Sequence, residues 1–198
     1  MWDDEYFRAD FYSIMGTILF ARNPTYDKTI YTLLSLDHPY RHTISRLGCL
    51  LRWSDTEPVR ILHLSFADFL SNQLRCGSGG HYINLLLHNR HLALRCLCYL
   101  STILRRNMCN PTLSPASVNE VFSEAVSYAC VSWIDHICAI TECANLVEDI
   151  LEQFLFQDLI HWLEAMSILK KSRMTIILLQ RLLEWLHVCD LISSLHSL

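Results

Sequence analysis

Between Arg41 and Leu70 the residue pattern changes from helical to extended and back to helical, and few small folds accommodate that order. Arg41 to Gly48 reads as a short helix. Cys49-Leu50-Leu51-Arg52-Trp53 and Val59-Arg60-Ile61-Leu62-His63 are short apolar runs on either side of a polar, proline-containing turn, Ser54-Asp55-Thr56-Glu57-Pro58. That spacing predicts a β-hairpin. Ser65 then opens a second helical pattern with Phe66, Phe69 and Leu70 on one face, and Ser65 and Asp68 stand in the S-x-x-D relation of a capping box. His63 therefore falls at the end of a strand, beside the exposed amides of a helix N-terminus. Such a place suits contact with an anion.

Two helices are expected ahead of this stretch. Residues from about Glu5 to Arg22 place Phe7, Phe11, Ile14, Met15, Ile18 and Leu19 on one face and stop at Asn23-Pro24. A shorter helix from about Asp27 to Leu36 carries Ile30, Leu33 and Leu34 and is broken by His38-Pro39. Three helices followed by a hairpin is the winged-helix order, which assigns residues 1–75 to a winged-helix subdomain. Three of the five glycines cluster within 76–80 and predict a linker.

Residues 81–192 read as wholly helical. Expected helices run from about Asn84 to Arg106, from a Ser117-x-x-Glu120 capping box to about Ala139, from Asn145 to Lys170, and from Met174 to Asp190. Phe122, Val126, Ala129, Trp133 and Ile137 form one stripe, and Trp133, Trp162 and Trp185 are expected to anchor a core between antiparallel helices. Residues 193–198 are expected to fray. The fold class is thus mainly α: a winged-helix subdomain with a short β-hairpin, followed by an all-α helical bundle.

Composition narrows the chemistry. With 52% apolar and 18% charged residues in 198, a sizeable core is readily buried. A net charge of −4 gives no general attraction to nucleic acid or to an anionic membrane. The first residues, Trp2-Asp3-Asp4-Glu5, have the wrong sign for a leader peptide, and charged residues interrupt every apolar stretch before membrane-spanning length. Nine cysteines, odd in number and mostly inside apolar helical patterns (Cys96, Cys98, Cys130, Cys138, Cys189), read as reduced thiols of a cytoplasmic protein. Cys96-x-Cys98 and His136-x-Cys138 point their side chains about 200° apart on a helix, so a metal site is not expected.

The motifs argue against independent catalysis. No G-x-x-x-x-G-K-[ST] loop occurs, and the glycine cluster Gly77-Ser78-Gly79-Gly80 lacks its lysine. The histidines and cysteines form no nucleophile signature. Glu148, Asp149 and Glu152 read as a solvated helix face, and Lys170-Lys171-Ser172-Arg173 as cations favoured at a helix C-terminus. DNA binding would require a basic helix and wing. Lys28, Arg41, His42 and Arg46 are few, and the wing tip Ser54-Asp55-Thr56-Glu57 is acidic.

The segment Arg41-His42-Thr43-Ile44-Ser45-Arg46-Leu47-Gly48 through Val59-Arg60-Ile61-Leu62-His63-x-Ser65-Phe66-x-Asp68-Phe69-Leu70 resembles the winged-helix region of NACHT-type signalling NTPases. These are STAND or NOD-like proteins, and the likeness is greatest to the large families of mushroom-forming fungi. Leu92 to Leu97, Arg105 to Asn110, Tyr128-Ala129-Cys130-x-x-Trp133 and His161 to Ser167 resemble that family's helical region in the same order. The resemblance implies a regulatory switch and spacer that holds a nucleotide-binding core closed around ADP. The core itself, with its ATP/ADP and Mg sites, is not encoded in these residues. By the same resemblance His63 is the candidate contact to the ADP β-phosphate, with capping of the strand end through a backbone group as its alternative. A stand-alone adaptor, binding other proteins through the winged-helix surface, is the second functional reading.

Overall fold

The computed structural model describes residues 5–36, 41–77, 81–105, 122–141 and 145–196. They fall into two compact units, Met1–His88 and Asn89–Leu198. In the first, α1 (Glu5–Phe20), α2 (Asp27–Leu34) and α3 (Arg41–Arg46) precede β1 (Leu51–Ser54) and β2 (Glu57–Ile61), and α4 (Leu64–Ser71) and α5 (Gln73–Cys76) follow. The strands are antiparallel, with Leu51 opposite Ile61 and Arg52 opposite Arg60, and an irregularity brings Ser54 opposite Glu57. Val59 N–H donates to the Thr25 carbonyl at 2.9 Å, so the chain ahead of α2 adds one rung to the outer edge of β2.

The expected apolar faces form the core of this unit. Phe7, Phe11, Ile14 and Met15 of α1 meet Ile30, Tyr31 and Leu34 of α2, Ile44 and Leu47, and the inward residues Leu51 and Val59 of the hairpin. Packing on this scale stabilises by roughly 1.5–3 kcal/mol per fully buried large apolar side chain. Gly16 is required by a close approach: a Cβ there would fall inside the His88 ring, which also lies 6.1 Å from the Phe20 ring.

Helix ends differ from expectation for local reasons. α2 stops at Leu34, two residues early, because Ser35 takes the left-handed conformation (φ 51, ψ 47). Ser35 and Leu36 N–H groups turn back to the Thr32 and Tyr31 carbonyls, at 3.4 and 3.3 Å. This satisfies carbonyls that a helix end otherwise leaves open. α3 ends at Arg46 because Leu47 and Gly48 donate three residues back, to Ile44 and Ser45. The expected breaker His38-Pro39 lies outside the described residues. So do residues 78–80 of the glycine cluster, while Gly77 ends α5 with φ 61. Beyond the cluster the chain still belongs to the first unit: Ile83 is buried in its core and donates to the Leu70 carbonyl at 2.8 Å.

The second unit takes α6 (Leu85–Ile103) from Asn89 onward, then α7 (Glu124–Ile137), α8 (Asn145–Gln157), α9 (Leu159–Ile168) and α10 (Ser172–His196). α7 is its centre: every residue but Glu124, Ser127 and Asp135 is buried, and the helix packs against α9 and α10. Trp133 is fully enclosed, meeting Phe154 and Trp162 edge-on with centroids 5.2 and 5.6 Å away. Trp162 Nε1–H donates to the Cys130 carbonyl at 2.9 Å. Trp185 is only half-buried and donates to the Ile140 carbonyl at 2.8 Å.

Three expected boundaries are corrected here. The Ser117–Glu120 box lies outside the described residues, and α7 begins after Ser123, whose hydroxyl accepts from Val126 N–H; Phe122 precedes the helix, though it is buried. The single helix expected over 145–170 is two, interrupted at Asp158. That carboxylate accepts from Ser101 Oγ of α6 at 2.7 Å, a long-range bond at the interruption, and lies 3.8 Å from Nδ1 of its local neighbour His161. Finally, α10 is longer than expected at both ends, and residues 193–196 are helical rather than frayed. Among the described residues, no helix is long and apolar enough to cross a membrane.

Candidate functional site

His63 sits between β2 and α4 with extended backbone (φ −136, ψ 125) and acts as the N-cap of α4. Its Nδ1 accepts from the Ser65 backbone N–H at 3.1 Å and lies 2.6 Å from Ser65 Oγ. The His63 carbonyl takes the first helical bond, from Phe66 N–H at 3.0 Å. A backbone N–H only donates, so Nδ1 must carry a lone pair, and the neutral ring then bears its proton on Nε2. The imidazole is exposed. The cap thus fixes the tautomer and leaves an N–H donor facing solvent at the helix start.

This geometry revises the expected capping box. Ser65 lies inside the first turn rather than at the cap, and its amide is taken by His63 instead of supporting a Ser65–Asp68 exchange. The helix begins one residue earlier, at Leu64, because the imidazole reaches the amide that a serine cap would have served. The backbone-capping role and the solvent-facing donor belong to different nitrogens of one ring.

His63 is flanked by exposed leucines. Leu62 and Leu64, its chain neighbours, are 55% and 82% exposed, and Leu74 of α5 is 94% exposed. The start of α5 is held by Asn72, whose Oδ1 accepts from Leu74 and Arg75 N–H groups at 3.0 and 3.2 Å.

One ion pair lies within the hairpin, and exposed Arg60 stands beside it on β2. Arg52 is forked onto Glu57, Nε to Oε2 at 3.1 Å and Nη2 to Oε1 at 3.3 Å, and Arg46 lies over the Phe7 ring, 5.5 Å from its centroid. Lys28 is exposed on α2, whereas the side chains of Arg41 and His42 lie outside the described residues.

The cysteines separate by depth. Cys76, Cys96 and Cys130 are buried, Cys138 and Cys189 half-buried, and Cys49 and Cys98 exposed. Burial pushes the Cys130 thiol up to about 12 and raises Cys96 further, helped by the neighbouring Cys130. Cys96 and Cys98, two apart on α6, lie at opposite extremes of exposure, as helical geometry requires. Among the described residues, no three His, Cys, Asp or Glu side chains converge to hold a metal ion.

A polar cluster that sequence reading missed lies in the second unit. His136 is fully buried, its Nε2 2.8 Å from Tyr128 Oη and its Nδ1 2.9 Å from Asn89 Oδ1. Asn89 can only accept through that oxygen, so His136 Nδ1 donates and Tyr128 Oη donates to Nε2. The signal was available: Tyr128, Ser132 and His136 recur every four residues along the largely apolar α7. The cluster joins α6 to α7 around a fully buried His136.

Comparison of the chain with protein-family models, with curated proteins and with solved structures finds no match.

Proposed function

We propose that this chain is the switch region of a NACHT-type signalling NTPase, packing its winged-helix unit against a nucleotide-binding core and holding that core in the ADP state. The observation that carries the reading is the division of labour in His63: Nδ1 is committed to the Ser65 amide, while Nε2–H is presented outward beside the start of α4. An outward donor of fixed tautomer suits a phosphate oxygen. Leu62, Leu64 and Leu74 supply the apolar rim that would be covered when the core docks. The nucleotide's base, ribose and magnesium would be held by the core and not by this chain.

A charge-assisted hydrogen bond contributes about 1.5–3 kcal/mol, a shift of roughly 10- to 150-fold in the closed-to-open ratio if made only in the closed state. In a polypeptide carrying this region with its core, His63→Ala should speed ADP release by a factor in that range and raise basal signalling. An unchanged release rate would remove His63 from the switch. The exposed leucines also favour the second reading, an adaptor that binds other proteins through the same surface. Leu64→Glu with Leu74→Glu should then abolish partner capture while His63→Ala leaves it intact, whereas under the switch reading both changes weaken ADP retention.

A further inference from the structure

A second concave site lies wholly within the second unit. The face of α10 that carries Arg181, Glu184, Trp185, Val188 and Cys189 borders a cleft of about 450 Å³, closed on the other side by Cys138, Ile140 and Thr141 after α7. The spacing along α10 is one helical stripe, so these side chains share a face. The volume is within the range of small-molecule sites, roughly 300–1,000 Å³.

The ring of Trp185 is pinned. Its Nε1–H donates to the Ile140 carbonyl at 2.8 Å, which fixes the plane of the indole while the ring lines the cleft. The charges sort into one pair and one remainder. Arg181 is ion-paired with Asp135 of α7, whereas the exposed Glu184 carboxylate has no partner among the described residues. Among the described lining residues the site therefore carries one unpaired charge, the Glu184 carboxylate, beside an aromatic ring, with Ile140, Val188, Cys138 and Cys189 also lining it. A cation over an aromatic face is attracted by the ring quadrupole, and alkyl substituents on that cation are desolvated at little cost against apolar walls. An anion would meet Glu184 with the wrong sign, and an ordinary ammonium would keep its hydration shell.

We infer that the cleft between the end of α7 and α10 binds a small N-alkylated ammonium ion, with Trp185 as the aromatic platform and Glu184 as the counter-charge.

The test is titration of the whole chain with choline and, in parallel, with 3,3-dimethylbutan-1-ol, which has the same shape without the charge. The readout is the Trp185 indole N–H resonance, assigned by its absence in Trp185→Phe. Choline should move that resonance saturably below about 10 mM, an affinity expected of a small monocation at a partly open site. The neutral alcohol should bind at least about 5-fold more weakly, and Glu184→Gln, a change at an exposed position that leaves the core intact, should weaken choline by about 5- to 30-fold. Equal binding of the two compounds would make the cleft merely apolar and overturn the inference. So would an unmoved Trp185 resonance, or unchanged choline affinity in Glu184→Gln.

Discussion

Gly16 and His88 are a matched pair: the imidazole occupies the space where any other residue at position 16 would place its Cβ. Gly16 lies mid-helix, where glycine costs up to about 1 kcal/mol relative to alanine, so propensity alone would favour Gly16→Ala. The contact reverses that sign. Gly16→Ala should lower stability by about 1–3 kcal/mol, the usual cost of overpacking. Urea unfolding of Gly16→Ala, His88→Ala and the double variant checks it: the double variant should be more stable than the sum of the singles requires, because the closest atoms to the alanine Cβ belong to the ring. No sequence pattern announced this. The two residues are 72 positions apart (88 less 16), and a lone glycine in a helical run usually signals nothing beyond weak propensity. His63 is the opposite case. Its place at a strand end beside a helix start was legible, because the period change and turn residues around it are local. Which nitrogen would cap could not be read, because histidine is an uncommon N-cap and Ser65 matched the usual motif.

At the level of elements, apolar periodicity located the long helices but not the short α5 or the division of α8 from α9, and local backbone chemistry decided where each ended. The pattern over 145–170 is helical throughout with no glycine or proline, so the interruption at Asp158 is invisible without its long-range partner Ser101. The end of α9 carries a similar hidden feature. Lys170 has φ 58, and the Lys170 and Lys171 N–H groups return to the Ser167 and Met166 carbonyls at 3.0 and 2.8 Å. The left-handed conformation costs a non-glycine residue on the order of 1 kcal/mol. Lys170→Gly should therefore raise stability by about 0.5–1 kcal/mol, seen as a higher urea midpoint with unchanged slope. Ser167→Gly, within the same helix, should lower it, since there the backbone is already helical and glycine only adds unfolded-state freedom. Sequence reading took the Lys170-Lys171 pair as a response to the helix dipole; the structure adds that position 170 is also a sterically demanding turn.

For the whole molecule, the composition-based expectation of a well-buried mainly helical chain agrees with the two cores, but the cysteines do not behave as one class. Cys98 is exposed although it lies in the same apolar run as Cys96, because that run covers more than one face of α6. Among the described cysteines, brief treatment of the native protein with iodoacetamide should label Cys49 and Cys98 first. Cys76, Cys96 and Cys130 should stay unlabelled until denaturant is added, since each is both inaccessible and held in the less nucleophilic thiol form by burial. Peptide mass spectrometry separates these positions. Early labelling of Cys130 would mean that α7 opens locally well below the cost of global unfolding.

The enclosure of α7 also bears on how this protein can change over generations. A helix with one buried stripe leaves most positions free to drift, but here eleven residues are buried, and several are also committed to specific partners. His136 cannot be exchanged without altering what Tyr128 and Asn89 need, and Trp133 is shaped to both Phe154 and Trp162. Accepted changes in α7 will therefore arrive as coordinated sets spread over α6, α8 and α9.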